Sequence, residues 1–188
     1  MIEKLGAVIV SYNSSRSAIF LATQLLDQGF GQVIVVDSGS DSAERLVLAD
    51  FELPDKLSVM LLDANVGFGP AVNSGVAALR DFSHVLVCNA DIRIEDGFAA
   101  GILRSIRAHP DSVLSPTIVT GQRSNPVGWY QGARFFPSRG YLRHTSKGKA
   151  VIRSAEGLFS TPFAPATALL IPRGLFECLE GFREDLFM

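Results

Sequence analysis

Three uninterrupted apolar runs, residues 5–10 (Leu-Gly-Ala-Val-Ile-Val), 33–36 (Val-Ile-Val-Val) and 85–88 (Val-Leu-Val-Cys), each end on a polar cluster. A strand that faces water on one side alternates apolar and polar residues, whereas a run without alternation belongs to a strand covered on both faces. Segments with helical spacing lie between these runs. Ser14 or Ser15 can cap a helix whose Ile19, Ala22, Leu25 and Leu26 share a face before Gly29 ends it. Residues 42–49 read as a short helix and 57–62 as a third strand. The turn 65–69 leads into a helix over 71–80, and 98–109 reads as a helix broken by Pro110. Residues 166–171 form a later buried strand, with a short helix around 175–179. This alternation predicts an α/β fold, a mostly parallel sheet with helices on both faces.

The length of 188 residues suits one domain, and residues 121–164 stand apart as an irregular excursion rich in Gly, Pro, Ser and Arg. Charge is uneven too. The net of -2 conceals a stretch from 112 to 155 with no Asp or Glu but with Arg123, Arg134, Arg139, Arg143, Lys147, Lys149 and Arg153. Such a stretch suits a solvated loop, or a surface for a phosphorylated or membrane-borne partner. Nucleic acid is not an expected partner, because no recognition helix or zinc motif accompanies the charge. No apolar run reaches the ~18 residues of a membrane span. The first residues carry no charged segment leading into a long apolar one, and Cys88 and Cys178 lack metal-ligand spacing. These features set a cytoplasmic expectation, with the inner face of the membrane as a place of contact.

Ligands of parallel α/β sheets bind beyond the carboxyl ends of the strands. Three strand ends here carry Ser11-Tyr12-Asn13, Asp37-Ser38-Gly39-Ser40 and Asn89-Ala90-Asp91. A carboxylate at a strand tip can accept from a base N–H or a ribose hydroxyl, or hold a divalent cation against a diphosphate. Taken singly, Asp37 also makes a good turn and Asn13 a plausible helix cap. The turn Asn65-Val66-Gly67-Phe68-Gly69 brings two glycines, allowing close backbone approach to a ligand, before a helix N-terminus. It is neither a dinucleotide fingerprint nor a P-loop, since Val72 stands at the required third glycine and no Gly-Lys-Ser/Thr follows. Trp129-Tyr130 and Phe135-Phe136 read as core aromatics with a sugar- or lipid-facing wall as the alternative. His144, beside Arg143 and Lys147, is a candidate to reach a metal or diphosphate.

These motifs together resemble the family 2 glycosyltransferases. The matching stretches are Val8 to Asn13, Val35 to Ser40, Asn65 to Gly69 with Asn73-Ser74-Gly75, Val87 to Asp91, and Ala168 to Arg173 leading to Gly181-Phe182-Arg183-Glu184-Asp185. The Asn-Val-Gly-Phe-Gly form is most similar to the bacterial branch that builds surface polysaccharides, rhamnosyltransferases among them. The resemblance implies a GT-A, Rossmann-like fold and transfer of a sugar from a UDP-, TDP- or GDP-sugar to a saccharide or lipid-linked acceptor, with inversion. It implies that Ser11, Asn13, Asp37, Asn65, Gly67 and Asn89 line the nucleotide, with Asp37 on the base. Asp91, at the last place of the Asp-X-Asp motif, would bind Mg2+ or Mn2+, with Asn89 where the first Asp often stands.

Displacement at an anomeric carbon also needs a carboxylate to take the acceptor's proton. The resemblance puts that base just past Met188, with Asp185 as a stand-in. The chain thus resembles a donor half without its acceptor half, and the alternative reading is an inactive or truncated nucleotide-sugar-binding scaffold. A sugar nucleotidyltransferase is disfavoured, because Ser11-Tyr12-Asn13-Ser14-Ser15-Arg16 offers no glycine. Peripheral membrane contact and a homodimer are the remaining expected partnerships.

Overall fold

The computed structural model describes residues 4–52, 54–122, 124–149 and 157–187; Arg123, Arg153 and Met188 of the sequence reading lie outside them. The chain forms two compact units. One runs to Val113 and resumes at Ala166, and the other is Leu114–Pro165.

The first unit carries β1 (Leu5–Ser11), α1 (Ser15–Asp27), β2 (Gln32–Ser38), α2 (Ser42–Ala49), β3 (Leu57–Leu62), α3 (Phe68–Ala78), β4 (His84–Asn89) and α4 (Phe98–Ala108). Its sheet has the order β3-β2-β1-β4 and ends in a fifth strand, Ala168–Pro172. The first four strands are parallel, and the fifth runs antiparallel to β4, pairing Cys88 with Ala168. Val33, Val35, Val36, Val85 and Val87 have no exposed surface, as expected of strands covered on both faces. Each such valine contributes roughly 1.5–3 kcal/mol by leaving water.

The chain steps from β1 to β2 to β3 in one direction, then crosses back to β4 on the other side of β1. Right-handed crossovers therefore place α1 and α2 on one face and α3 on the other. Gly75 lets α3 lie flat on the sheet. A Cβ there would stand 2.5 Å from Val8 Cγ1 and 2.9 Å from Val36 Cγ2. The reversal between β1 and β4 is a topological switch point, the place where open α/β sheets hold ligands beyond the carboxyl ends of their strands.

Two local expectations change. α3 begins at Phe68, three residues early, because Pro70 falls in the first turn, where its missing N–H costs nothing. Helix α1 keeps its expected N-cap position at Ser14, whose side chain makes no capping bond, and the Ser15 N–H donates to Glu44 Oε2 at 2.7 Å. The final strand is antiparallel because the chain returns from an excursion instead of through a helical crossover.

That excursion is the second unit, and the irregular loop expected over 121–164 is replaced by two hairpins. β5 (Ile118–Gln122) pairs with β6 (Asn125–Tyr130), and β7 (Ala133–Phe136) with β8 (Tyr141–His144). The fifth strand of the large sheet is thus β9, and α5 (Arg173–Cys178) follows it. His144 packs against Trp129, Tyr130 and Phe163 at ring separations of 5.1–6.0 Å and its Nδ1 meets the Trp129 carbonyl at 3.1 Å. Its ring is half-buried in this aromatic cluster. Tyr130 is a core aromatic of this unit and Trp129 is half-buried beside it.

Candidate functional site

The polar clusters expected at the strand tips do gather at one edge of the sheet. Ser11 on β1 stands beside Asp37 on β2, and Asn89 on β4 pairs with Val10 on the other side of β1. Asp37 and Asn89 are thus two strand spacings apart, about 10 Å. The turn Asn65–Gly67 joins the same edge through Ser38, whose Oγ donates to Asn65 Oδ1 at 3.3 Å and accepts from the Val66 N–H at 3.2 Å.

The edge has a floor and a rim. Ser11 and Asp37, expected to line the nucleotide, have no exposed surface and form the floor. Asp37 accepts from the Ser40 hydroxyl and, at 3.1 Å, from the Ser40 N–H. Arg45 Nε lies 3.4 Å from its Oδ2, an ion contact, while Arg45 Nη2 donates to the Leu62 carbonyl. Asp37 therefore ties β2 to its own turn, to α2 and to the end of β3. Ser40 Oγ also accepts from the Asn13 N–H at 2.8 Å, and Asn13 Oδ1 accepts from the Asp41 N–H at 3.0 Å, stitching the first loop to the second. Asn13 holds a left-handed φ of 50°, a conformation Asn tolerates better than most residues.

The rim faces water: Tyr12, Asn13, Asn65 and Asp91 are exposed and Asn89 half-buried. Gly67 is buried at φ 86° and donates its N–H to Asn65 Oδ1 at 3.0 Å, the turn that starts α3. Gly39 answers a close approach. At φ 73°, a Cβ on it would lie 2.4 Å from the Ala64 carbonyl carbon. Gly69 meets the chain rather than a ligand, since its Cβ would stand 3.0 Å from the Arg183 carbonyl oxygen.

The residues around Phe182 close over α3. Asn73 accepts the Phe182 N–H at 2.9 Å and donates to the Phe182 carbonyl at 2.8 Å and Glu184 Oε1 at 2.9 Å. Phe182 packs edge-on against Phe68. Asp185 is clasped by Arg183 at 2.9 and 2.5 Å, which holds its carboxyl below the ordinary 3.8. A carboxylate so held is a weaker proton acceptor than a free one. A cavity of 340 Å³ opens nearby among Val76, Leu79, Phe82, Arg173, Phe176 and Glu180, and none of the strand-tip residues lines it.

Sequence reasoning set Tyr12 and Ser40 in the strand-tip clusters without a role of their own, and it missed Arg45. The exposed aromatic at a strand tip was the signal for Tyr12, whereas Arg45 is reached only through the α2 packing that brings it to Asp37.

The profile of Glycosyl transferase family 2 matches residues 7–180. The chain belongs to this family. Solved structures share its fold. TarS 1-349 of S. aureus is 20% identical with a TM-score of 0.63, covering 98% of this chain and 52% of its own. GalNAc-T7, solved with UDP, GalNAc and Mn2+, is 13% identical with a TM-score of 0.73, covering 98% and 37%. HddC from Yersinia pseudotuberculosis is 13% identical with a TM-score of 0.54, covering 92% and 79%. The family 2 chain thus spans about half the length of the TarS structure. No curated protein matches it. The GT-A fold expected from the motifs is the fold observed. No helix among the described residues is long and apolar enough to cross a membrane.

Proposed function

We propose that this family 2 domain binds a nucleotide diphosphate sugar at the carboxyl edge of its sheet and transfers the sugar to a saccharide or lipid-linked acceptor. The observation that carries this is the gathering of three polar strand tips, from β2, β1 and β4, and of the Asn65–Gly67 turn beside β2 along one carboxyl edge of the sheet. Tyr12, 52% exposed, offers a flat face on which a base can stack. Asn13 and Asn65 provide amides within the same rim, and Asp37 acts by fixing the loops that carry them.

Asp91 and Asn89 supply one carboxylate and one amide oxygen, hard donors that suit Mg2+ or Mn2+. No cluster of three His, Cys, Asp or Glu stands ready for a metal among the described residues. The pair therefore fits a cation that takes most of its ligands from the donor's phosphates and from water. That TarS was also solved with UDP, and GalNAc-T7 with UDP and Mn2+, supports the same reading. When bound, the cation offsets charge building on the departing diphosphate. Transfer is read as inverting, and the Asn65-Val66-Gly67-Phe68-Gly69 motif supports a hexosyl or deoxyhexosyl, rhamnosyltransferase-like role in bacterial surface polysaccharide synthesis.

Isothermal titration with UDP, TDP and GDP in the presence of Mn2+ tests the donor site. Binding of at least one is expected, weakened tenfold or more in Asp91→Ala or when EDTA removes the metal. Silence with all three nucleotides, on protein whose circular dichroism is that of a folded chain, would refute it.

A further inference from the structure

The β7–β8 hairpin has an unusual outer face. Residues opposite one another in an antiparallel pair share a face, so Ala133 and His144 lie on one side and Arg134 and Arg143 on the other, joined there by Phe136 and Tyr141. The inner side meets the aromatic cluster of its own unit through His144. The outer side sets two exposed arginines directly opposite each other, an arrangement that repels unless an anion lies between them. Phe136 and Tyr141 stack beside them at 4.8 Å. Arg139 is exposed at the tip, Lys147 and Lys149 in the turn after β8, and Tyr141 on the outer side is 40% exposed, while Phe135, on the side of Ala133 and His144, is 54% exposed. None of these five cations joins an ion pair among the described residues. No acidic residue occurs from 112 to 155 to neutralise them.

We infer that this hairpin is a docking surface for an anionic lipid bilayer. Exposed cations interleaved with aromatic rings suit the headgroup layer, where the rings sit at the apolar boundary and the cations meet lipid phosphates. An acidic protein partner would satisfy the charges but leave the exposed rings without an apolar counterpart. Bilayer docking lies outside the donor site: it would hold the domain against a membrane, whichever nucleotide it takes.

Sedimentation of the protein with vesicles tests it. Partition onto phosphatidylglycerol–phosphatidylcholine vesicles is expected to exceed that onto phosphatidylcholine alone and to fall as salt rises, since exposed charges are screened beyond about 10 Å at 0.1 M. Each cation near such a surface is worth about fivefold in partition, so Arg134→Gln with Arg143→Gln should lower it about 25-fold. The pair Lys56→Gln with Arg80→Gln, two exposed cations of the other unit, should change it less than about fivefold, as should Asp91→Ala. Equal partition onto both vesicle types, or no loss in the double arginine variant when its melting curve is unchanged, would overturn the inference. Full displacement from vesicles by inorganic pyrophosphate at constant ionic strength would overturn it too, by revealing a discrete phosphate site.

Discussion

Asp37→Asn separates a carboxylate that holds loops from one that touches a ligand. Asp37 has no exposed surface and is engaged by the Ser40 hydroxyl, the Ser40 N–H and Arg45. An amide that keeps its oxygen toward the Ser40 N–H and Arg45, which share Oδ2, turns its nitrogen toward the Ser40 hydroxyl and loses the charge opposite Arg45. Breaking a buried ion pair costs about 3–5 kcal/mol, but the Arg45 side chain is 30% exposed and can turn to water, which lowers the figure. A destabilisation of about 2–3 kcal/mol remains, equivalent in a chain of this length to a melting shift of about 5–10 °C. Urea unfolding of Asp37→Asn, Arg45→Met and the double variant gives the coupling, expected at about 1 kcal/mol or more. A loss under about 0.5 kcal/mol with no coupling to Arg45, alongside abolished nucleotide binding, would contradict the positioning role and return Asp37 to direct contact with the base.

Other outcomes follow from the same contacts. Gly39→Ala should cost about 2–4 kcal/mol in chemical denaturation, because φ 73° strains an alanine and its Cβ would force apart the Ala64–Asn65 backbone. Asn73→Ala removes three hydrogen bonds to Phe182 and Glu184, so about 1–3 kcal/mol should be lost and the Phe182 amide should exchange faster with deuterium. Asp185 sits below its ordinary 3.8 through Arg183, so the pairing is complete above that pH and disappears as pH falls through the lower, folded value. Carbon NMR should show the Asp185 midpoint rise in Arg183→Gln, and an unchanged midpoint would exclude the pairing. Burial pushes the Cys88 thiol up to about 12, so iodoacetamide at pH 8 should label exposed Cys178 and spare Cys88 in the folded protein.

The parallel sheet was readable because its strands are buried on both faces, leaving runs such as Val33 to Val36 without alternation. Helix α2 and strand β3 fall where their caps and apolar spacing put them, with Asp41 capping the Glu44 N–H. The positions at the carboxyl edge were readable too, since strand ends follow from the runs. What each residue does there was not. Ser11 and Asp37 read as ligand contacts because polarity signals a site, but exposure depends on how deeply the following loop sinks, and Ser40 and Arg45 fix that from elsewhere in the chain. The β7–β8 hairpin of the second unit was not legible because its strands are four residues each, too short for a period to show. β9 gave its location but not its direction, since apolarity carries no sign of parallel or antiparallel pairing.

Paramagnetic broadening by Mn2+ can locate the donor site on the fold. In an amide NMR spectrum of the whole chain, Mn2+ added with UDP, TDP or GDP is expected to erase resonances around Asn89–Asp91 and Tyr12–Asn13 while sparing α5, and to do so weakly without nucleotide. Broadening centred on the Phe176–Glu180 cavity, or the same faint loss with every nucleotide as with none, would show that the strand tips do not hold the diphosphate.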